Sequence, residues 1–279
     1  MSRIADVRAA VAAARADGQR IGFVPTMGAL HEGHLHLVDD ARRRAGFVVL
    51  SVFVNPLQFG PAEDLARYPR DAEGDAARAA SRGVDLLFAP PPEEMYPRPP
   101  RVAVTPTALH ERWEGAARPG HFAGVLTVVA KLLNIVQPDV AIFGQKDLQQ
   151  ATLVRAMVRD LDVPVEICVV PTVRESDGLA MSSRNRYLAG DDRRRALALS
   201  QALGVIDAAF AAGERDTARL RAAGMATLTA DPGLAVDYLA LVDPDTLEPV
   251  RSASSGTAVV VAARVGGTRL IDNLILGGA

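Results

Sequence analysis

The sequence predicts an α/β protein, a doubly wound parallel sheet followed by a smaller C-terminal α+β domain. Three observations predict it. Short apolar runs alternate with amphipathic, helix-length segments up to residue 172. One of those runs, 47–54, is apolar almost throughout, as expected of a strand covered on both faces. From residue 173 the alternation gives way to two helical stretches and then three strand-like ones. Strand–helix alternation implies a parallel sheet with helices on both faces. The domains are therefore drawn at 1–172 and 173–279.

Each element has its own signal. Ser2 is a candidate cap for a first helix with Ile4, Val7 and Val11 on one face, stopped near Gly18. Residues 21–24 read as a strand. Residues 34–45 read as a helix with Leu35 and Val38 inward, ended by Gly46. Strand 47–54, helix 71–82 and strand 84–89 follow, then helix 122–136, strand 140–143, helix 148–160 and strand 165–170. The prolines between 90 and 100 read as a surface loop or flap. In the second part, 191–212 and 214–230 read as helices and 236–242, 258–263 and 269–275 as strands, the last two joined by a turn at Gly266-Gly267. The first part is thus Rossmann-like, a class whose ligands sit beyond the carboxyl ends of the strands, where strand order reverses. Polar clusters fall after the strands at 31–34, 55–58, 144–147 and 174–185.

The composition bounds the function. The chain has 279 residues, 49% hydrophobic and 23% charged, which is ample for a packed core. A net charge of −2 without a long basic run argues against nucleic acid or an anionic membrane as the partner. The single cysteine, Cys168, lies in an apolar strand-like run, so neither a disulfide framework nor a thiolate metal site is expected. No apolar stretch is long enough to span a bilayer, and the N-terminus lacks a secretory apolar core. A cytoplasmic enzyme is the expectation.

His31-Glu32-Gly33-His34 follows a strand and a glycine-bearing turn and opens a helix. A helix N-terminus offers unpaired N–H groups and the positive end of its dipole to phosphate. Histidines three apart on such a turn face the same way and can donate hydrogen bonds to it. A polar surface turn, or a metal pair completed by His36 or another group, are the other readings. Lys146, at a strand end, is a candidate phosphate cation or a surface lysine. Asp147 suits a metal, a ribose hydroxyl or a helix cap. Met181-Ser182-Ser183-Arg184-Asn185 offers two hydroxyls and a guanidinium fork for phosphate, or is an ordinary polar loop. Gln58 and Gln150 are neutral amides able to hold hydroxyls and a carboxylate without neutralising it, or are simply exposed.

Together these segments resemble the pantothenate synthetase family in sequence and order. The resemblance rests on residues 27–34, the 55–60 stretch, Phe143-Gly144-Gln145-Lys146-Asp147 with Gln150, and residues 177–185, with Tyr68-Pro69-Arg70 beside them. It covers essentially the whole chain. The histidine segment and the serine–arginine loop look like variants of the HIGH and KMSKS signatures of class I nucleotidyl-transferring enzymes.

The resemblance implies that ATP is bound by Met27, Gly28, Ala29, Leu30, His31, Glu32, Gly33, His34, Gly144, Gln145, Lys146, Asp147, Val173, Met181, Ser182, Ser183 and Arg184. It implies catalytic roles for His34, as proton donor, and for His31, Lys146 and Arg184. Gln58 and Gln150 would hold pantoate. Mg²⁺ would bridge the phosphates, with Asp75 as its candidate protein ligand, although Gly74 stands where some members carry a second acid. The implied substrates are pantoate, β-alanine and ATP, and the implied reaction passes through pantoyl adenylate. The smaller domain would serve as a lid and the protein as a homodimer. A different nucleotidyltransferase on the same fold, or a nucleotide-binding module without turnover, are the competing classes.

Overall fold

The computed structural model describes residues 1–61 and 63–278. Its contacts divide the chain into two compact units. The larger comprises Met1–Gly144 and Gln149–Pro171; the smaller comprises Gln145–Leu148 and the chain from Thr172 onward.

The larger unit is built on strands β1 (Ile21–Thr26), β2 (Phe47–Val52), β3 (Leu86–Phe88), β4 (Val140–Gly144) and β5 (Glu166–Val170). They pair in the order β3-β2-β1-β4-β5, all parallel. The order reverses between β1 and β4, so the ligand crevice of this class lies at their carboxyl ends. The helices are α1 (Ile4–Ala16), α2 (Glu32–Arg44), α3 (Ala72–Ser81), the short α4 (Pro92–Met95) and α5 (Trp113–Ala117), α6 (His121–Val136) and α7 (Leu148–Asp160).

Alternate strand residues serve opposite faces, as the two-residue period of a strand requires. Ile21, Phe23, Val49, Phe88, Ala141 and Phe143 pack with α1, α6 and α7. Val24, Val48, Leu50, Val140 and Ile142 pack against Leu37, Val38 and Ala41 of α2. This double covering explains the near-continuous apolar run of β2.

Three local expectations are corrected. Ser2 does not cap α1; the first helical N–H, that of Ile4, donates instead to Glu94 at 2.8 Å. Helix α2 begins at Glu32, so His31 is its N-cap residue rather than lying before a later start. The proline-rich stretch is not all surface: Met95 is fully buried and Tyr96 turns inward.

The smaller unit has helices α8 (Asp191–Ala211) and α9 (Thr217–Leu228) and strands β6 (Leu234–Val242), β7 (Ala258–Val265) and β8 (Thr268–Ile275). The strands form an antiparallel sheet in the order β6-β7-β8. Leu199, Leu203, Ile206 and Phe210 of α8 pack on Leu239, Leu241, Val259 and Val261 of the sheet. Val265 pairs with Thr268 across Gly266-Gly267, the expected two-residue hairpin turn.

Candidate active site

The turn after β1 is held in a demanding conformation. Gly28 has φ +81°, and a Cβ there would lie 2.7 Å from Val52 and 2.8 Å from Asp75. Only glycine meets both conditions. Ala29 is also left-handed, at φ +50°. Two side chains hold the turn. Thr26 Oγ1 accepts the N–H of Gly28 at 3.1 Å and donates to the Ser51 carbonyl at 2.7 Å. Asp75 accepts the N–H of Ala29 on Oδ2 at 2.9 Å and of Leu30 on Oδ1 at 2.7 Å, while only 2% exposed.

That bonding gives Asp75 a structural task. Both oxygens of Asp75 are engaged by the turn, so the residue shapes the loop that carries the histidines. A Cβ at Gly74 would fall 2.1 Å from the carboxylate of Asp71, so a larger residue there would require that exposed side chain to turn aside. Among the described residues, no three histidine, cysteine, aspartate or glutamate side chains gather as a metal site. The residues present therefore do not form a protein cage for Mg²⁺.

The turn delivers the two histidines together. Their ring centroids are 4.0 Å apart. The N–H of His31 donates to Nδ1 of His34 at 3.3 Å. Because that nitrogen accepts, the neutral ring carries its proton on Nε2, where it is a donor. Helix α2 adds its N-terminal dipole to the same place. Glu32 turns aside to pair with Arg82.

Gln58 follows β2 on a 3₁₀ turn, Pro56–Gln58, and is 8% exposed. A chain of fixed donors and acceptors orients its amide. Asn55 Nδ2 donates to the Gly124 carbonyl at 3.1 Å and to Gln58 Oε1 at 3.2 Å. Asn55 Oδ1 accepts from the Leu57 N–H at 3.3 Å and from the Tyr96 hydroxyl at 2.9 Å. Backbone groups cannot reverse their roles, so the Asn55 amide has one orientation. Gln58 then accepts through its oxygen and presents Nε2, which lies 3.1 Å from Met27 Sδ, as a donor. Burial pushes the Tyr96 hydroxyl up to about 12, so it remains a donor.

His121 and Arg118 hold the main chain of Gln58. Arg118 Nη1 meets His121 Nε2 at 3.0 Å, and a guanidinium has only protons to give. The imidazole therefore accepts there and donates from Nδ1 to the Gln58 carbonyl at 2.9 Å. Burial, reinforced by Arg118, lowers His121 to about 4. Glu63 pairs with the Arg118 guanidinium. Gly124 lets α6 approach this turn, since a Cβ would lie 2.2 Å from the Leu57 carbonyl oxygen.

Gln150 is half-buried on α7. Its neighbour Gln149 is buried and committed elsewhere. It accepts the N–H of Glu114 at 2.9 Å and donates to the carbonyls of Leu109 and Arg112 at 2.8 and 3.0 Å.

In the smaller unit, Gln145–Asp147 form a 3₁₀ turn with Lys146 half-buried and Asp147 exposed. Val173 and Met181, distant in sequence, are brought together: the Met181 N–H donates to the Val173 carbonyl at 2.9 Å. Arg174 bridges Ala180 beside them. Ser182 caps the following 3₁₀ turn, Ser183–Tyr187, by accepting the Arg184 N–H at 3.2 Å. Asn185 braces the loop by donating to Glu175 at 2.6 Å and to the Ala180 carbonyl at 3.0 Å.

Sequence reasoning does not assign Asn55, Tyr96, Arg118, His121, Gly124 or Gln149. Asn55 is visible as polarity after a strand, and Gly120-His121 as a turn before an apolar helix. Nothing in either signal gives a partner, because each contact spans a long stretch of chain.

The chain is similar along nearly its whole length to known proteins. A sequence family described as pantoate-beta-alanine ligase matches residues 1–275. A pantothenate synthetase of Moorella thermoacetica is 54% identical over 276 residues, covering 99% of this chain and 98% of that protein. The crystal structure of pantothenate synthetase from Thermus thermophilus is 52% identical and superposes with a TM-score of 0.94, covering 99% of this chain and 98% of that one. A Francisella tularensis pantoate-beta-alanine ligase, complexed with beta-gamma ATP and beta-alanine, is 32% identical with a TM-score of 0.83, covering 100% and 98%. The chain belongs to the pantoate-beta-alanine ligase family.

Proposed function

We propose that this chain condenses pantoate with β-alanine at the expense of ATP, through a bound pantoyl adenylate. The observation that carries this reading is the family match over residues 1–275, a range that includes the histidine turn and the Gln58 network. A pantoate carboxylate oxygen attacks the α-phosphorus and pyrophosphate leaves with the bridging oxygen. The β-alanine amine then attacks the acyl carbon, AMP leaves, and the amine proton is lost. Such a transfer needs positioning and stabilisation of charge on oxygen more than a protein nucleophile.

Residues 27–34, 144–147, Val173 and 181–184 hold ATP in this proposal. His34 donates from Nε2 to phosphate oxygen as charge develops, and His31 supports it. Lys146 and Arg184 neutralise the leaving pyrophosphate. Gln58, through Nε2, and Gln150 hold pantoate. Mg²⁺ enters as part of the nucleotide substrate, carried on its phosphates and waters, the usual habit of that ion. The domains 1–172 and 173–279 divide the work, the second acting as a lid that shields the mixed anhydride from water.

A homodimer and a cytoplasmic location complete the proposal. No helix among the described residues is long and apolar enough to cross a membrane. Sedimentation showing only a 29.5 kDa species would overturn the dimer. The reaction itself is tested by AMP release with pantoate and β-alanine supplied separately and together. Rapid release is expected only with both. Equal release with either alone would defeat the assignment.

A further inference from the structure

Strand β8 carries an aspartate and an asparagine, side by side, in an otherwise apolar stretch. Asp272 is 3% exposed and Asn273 is 2% exposed. Polar groups buried this deeply destabilise a fold unless their hydrogen bonds are met. Here the partners meeting them are specific. Asn273 Nδ2 donates to the carbonyls of Gln145 and Lys146, each at 2.9 Å. Its Oδ1 accepts from Gln145 Nε2 at 3.1 Å. The amide is thus committed to the turn that bears Lys146, some 128 residues away from Gln145 in sequence. Two backbone carbonyls accept from it, so its orientation is fixed.

Asp272 does the same for the second segment. It takes Arg174 in a two-pronged pair at 2.7 and 3.1 Å. Arg174 also donates to the Gly178 carbonyl at 3.1 Å. It lies in the short ladder that joins Val173 to Met181 and leads into Ser182–Arg184. Asp272 and Asn273 are tied to each other, the Asn273 N–H donating to Asp272 Oδ1 at 2.8 Å.

We infer that Asp272 and Asn273 are positioning residues for nucleotide binding, setting the Lys146 turn and the 173–184 loop from two successive positions of one strand. The inference rests on the proposed phosphate roles of Lys146 and Arg184. Neither Asp272 nor Asn273 touches substrate; each acts through the backbone it holds. An aspartate at 273 would keep the shape but set an oxygen against two carbonyls and so displace the lysine.

The test is a double-mutant cycle on the full chain, read by exchange of labelled pyrophosphate into ATP. Asn273→Asp should raise the KM for ATP about ten- to a hundredfold while moving the KM for pantoate less than about twofold, the scale of a small misplacement of a binding group. In a Lys146→Ala background the same change should add little, because the group it positions is gone. Asn273→Ala, run in the same cycle, serves if the aspartate variant does not fold. A full-sized additional loss in the Lys146→Ala background would overturn the positioning role while leaving the parent reading intact. Exchange indifferent to Lys146→Ala would overturn the parent reading, and this inference with it.

Discussion

The N–H of Leu30 donates to Oδ1 of Asp75 at 2.7 Å, across 45 residues of sequence. With the Ala29 bond beside it, this contact holds the left-handed turn that leads to both histidines. Removing the carboxylate would orphan two buried donors. Asp75→Ala is therefore expected to destabilise the protein by about 3 kcal/mol, at roughly 1–3 kcal/mol for each group left unsatisfied. Urea denaturation measures it. An unchanged midpoint would show that the turn holds itself.

His34 presents its Nε2 proton from the N-terminus of α2 and is not part of the apolar core. His34→Ala should slow adenylate formation about 10²–10³-fold, the scale for losing one well-placed donor to developing charge. The thermal midpoint should move little. Near-normal exchange in the folded variant would remove the residue from the chemistry.

Tyr96 reaches the Gln58 amide through Asn55, and so bears on the proposed pantoate position only indirectly. Tyr96→Phe loses one neutral hydrogen bond, worth about 1 kcal/mol, and should raise the pantoate KM about fivefold. Gln58→Ala should raise it further. Calorimetry should find ATP binding unaltered in both. A comparable loss of ATP affinity would mean the network serves the nucleotide instead.

His121 gives the fold an acid-sensitive point. Its pKa falls from 6.5 to about 4 on folding, through burial and then Arg118. The unfolded chain binds the extra proton more readily, so the stabilising contribution is complete above pH 6.5 and declines as pH falls toward 4. Below that it is constant. The full shift corresponds to about 3 kcal/mol. Denaturant melts across this window should show the decline, and His121→Gln should flatten it. Identical profiles for the two proteins would contradict the assignment.

The fold is legible where local signals decide it. The period-two and period-3.6 patterns locate the strands and the long helices, because burial on a sheet face or a helix stripe imposes those periods. Ser2 fails as a cap because Glu94 takes the Ile4 N–H, and no local pattern reports so distant an acceptor. The histidine turn is legible through its glycine and its place between a strand and a helix. Asp75 is visible as an acid, but its work lies in two backbone N–H groups of another segment. Met95 and Tyr96 are hidden by surrounding prolines, which signal a loop but not which of its side chains turn inward. The Asn273 amide is invisible for a similar reason: a lone asparagine in a strand gives no hint that it holds a lysine turn.

In the proposed reaction, pantoate is adenylated before the amine takes part. Exchange of labelled pyrophosphate into ATP, with pantoate present and β-alanine absent, isolates that first step. Label should enter ATP at a rate that depends on pantoate, and Lys146→Ala and Arg184→Ala should each depress it. Net AMP release under the same conditions should stay slow, because the enclosed anhydride is kept from water. Exchange that strictly required β-alanine would contradict the two-step account and point to a concerted route.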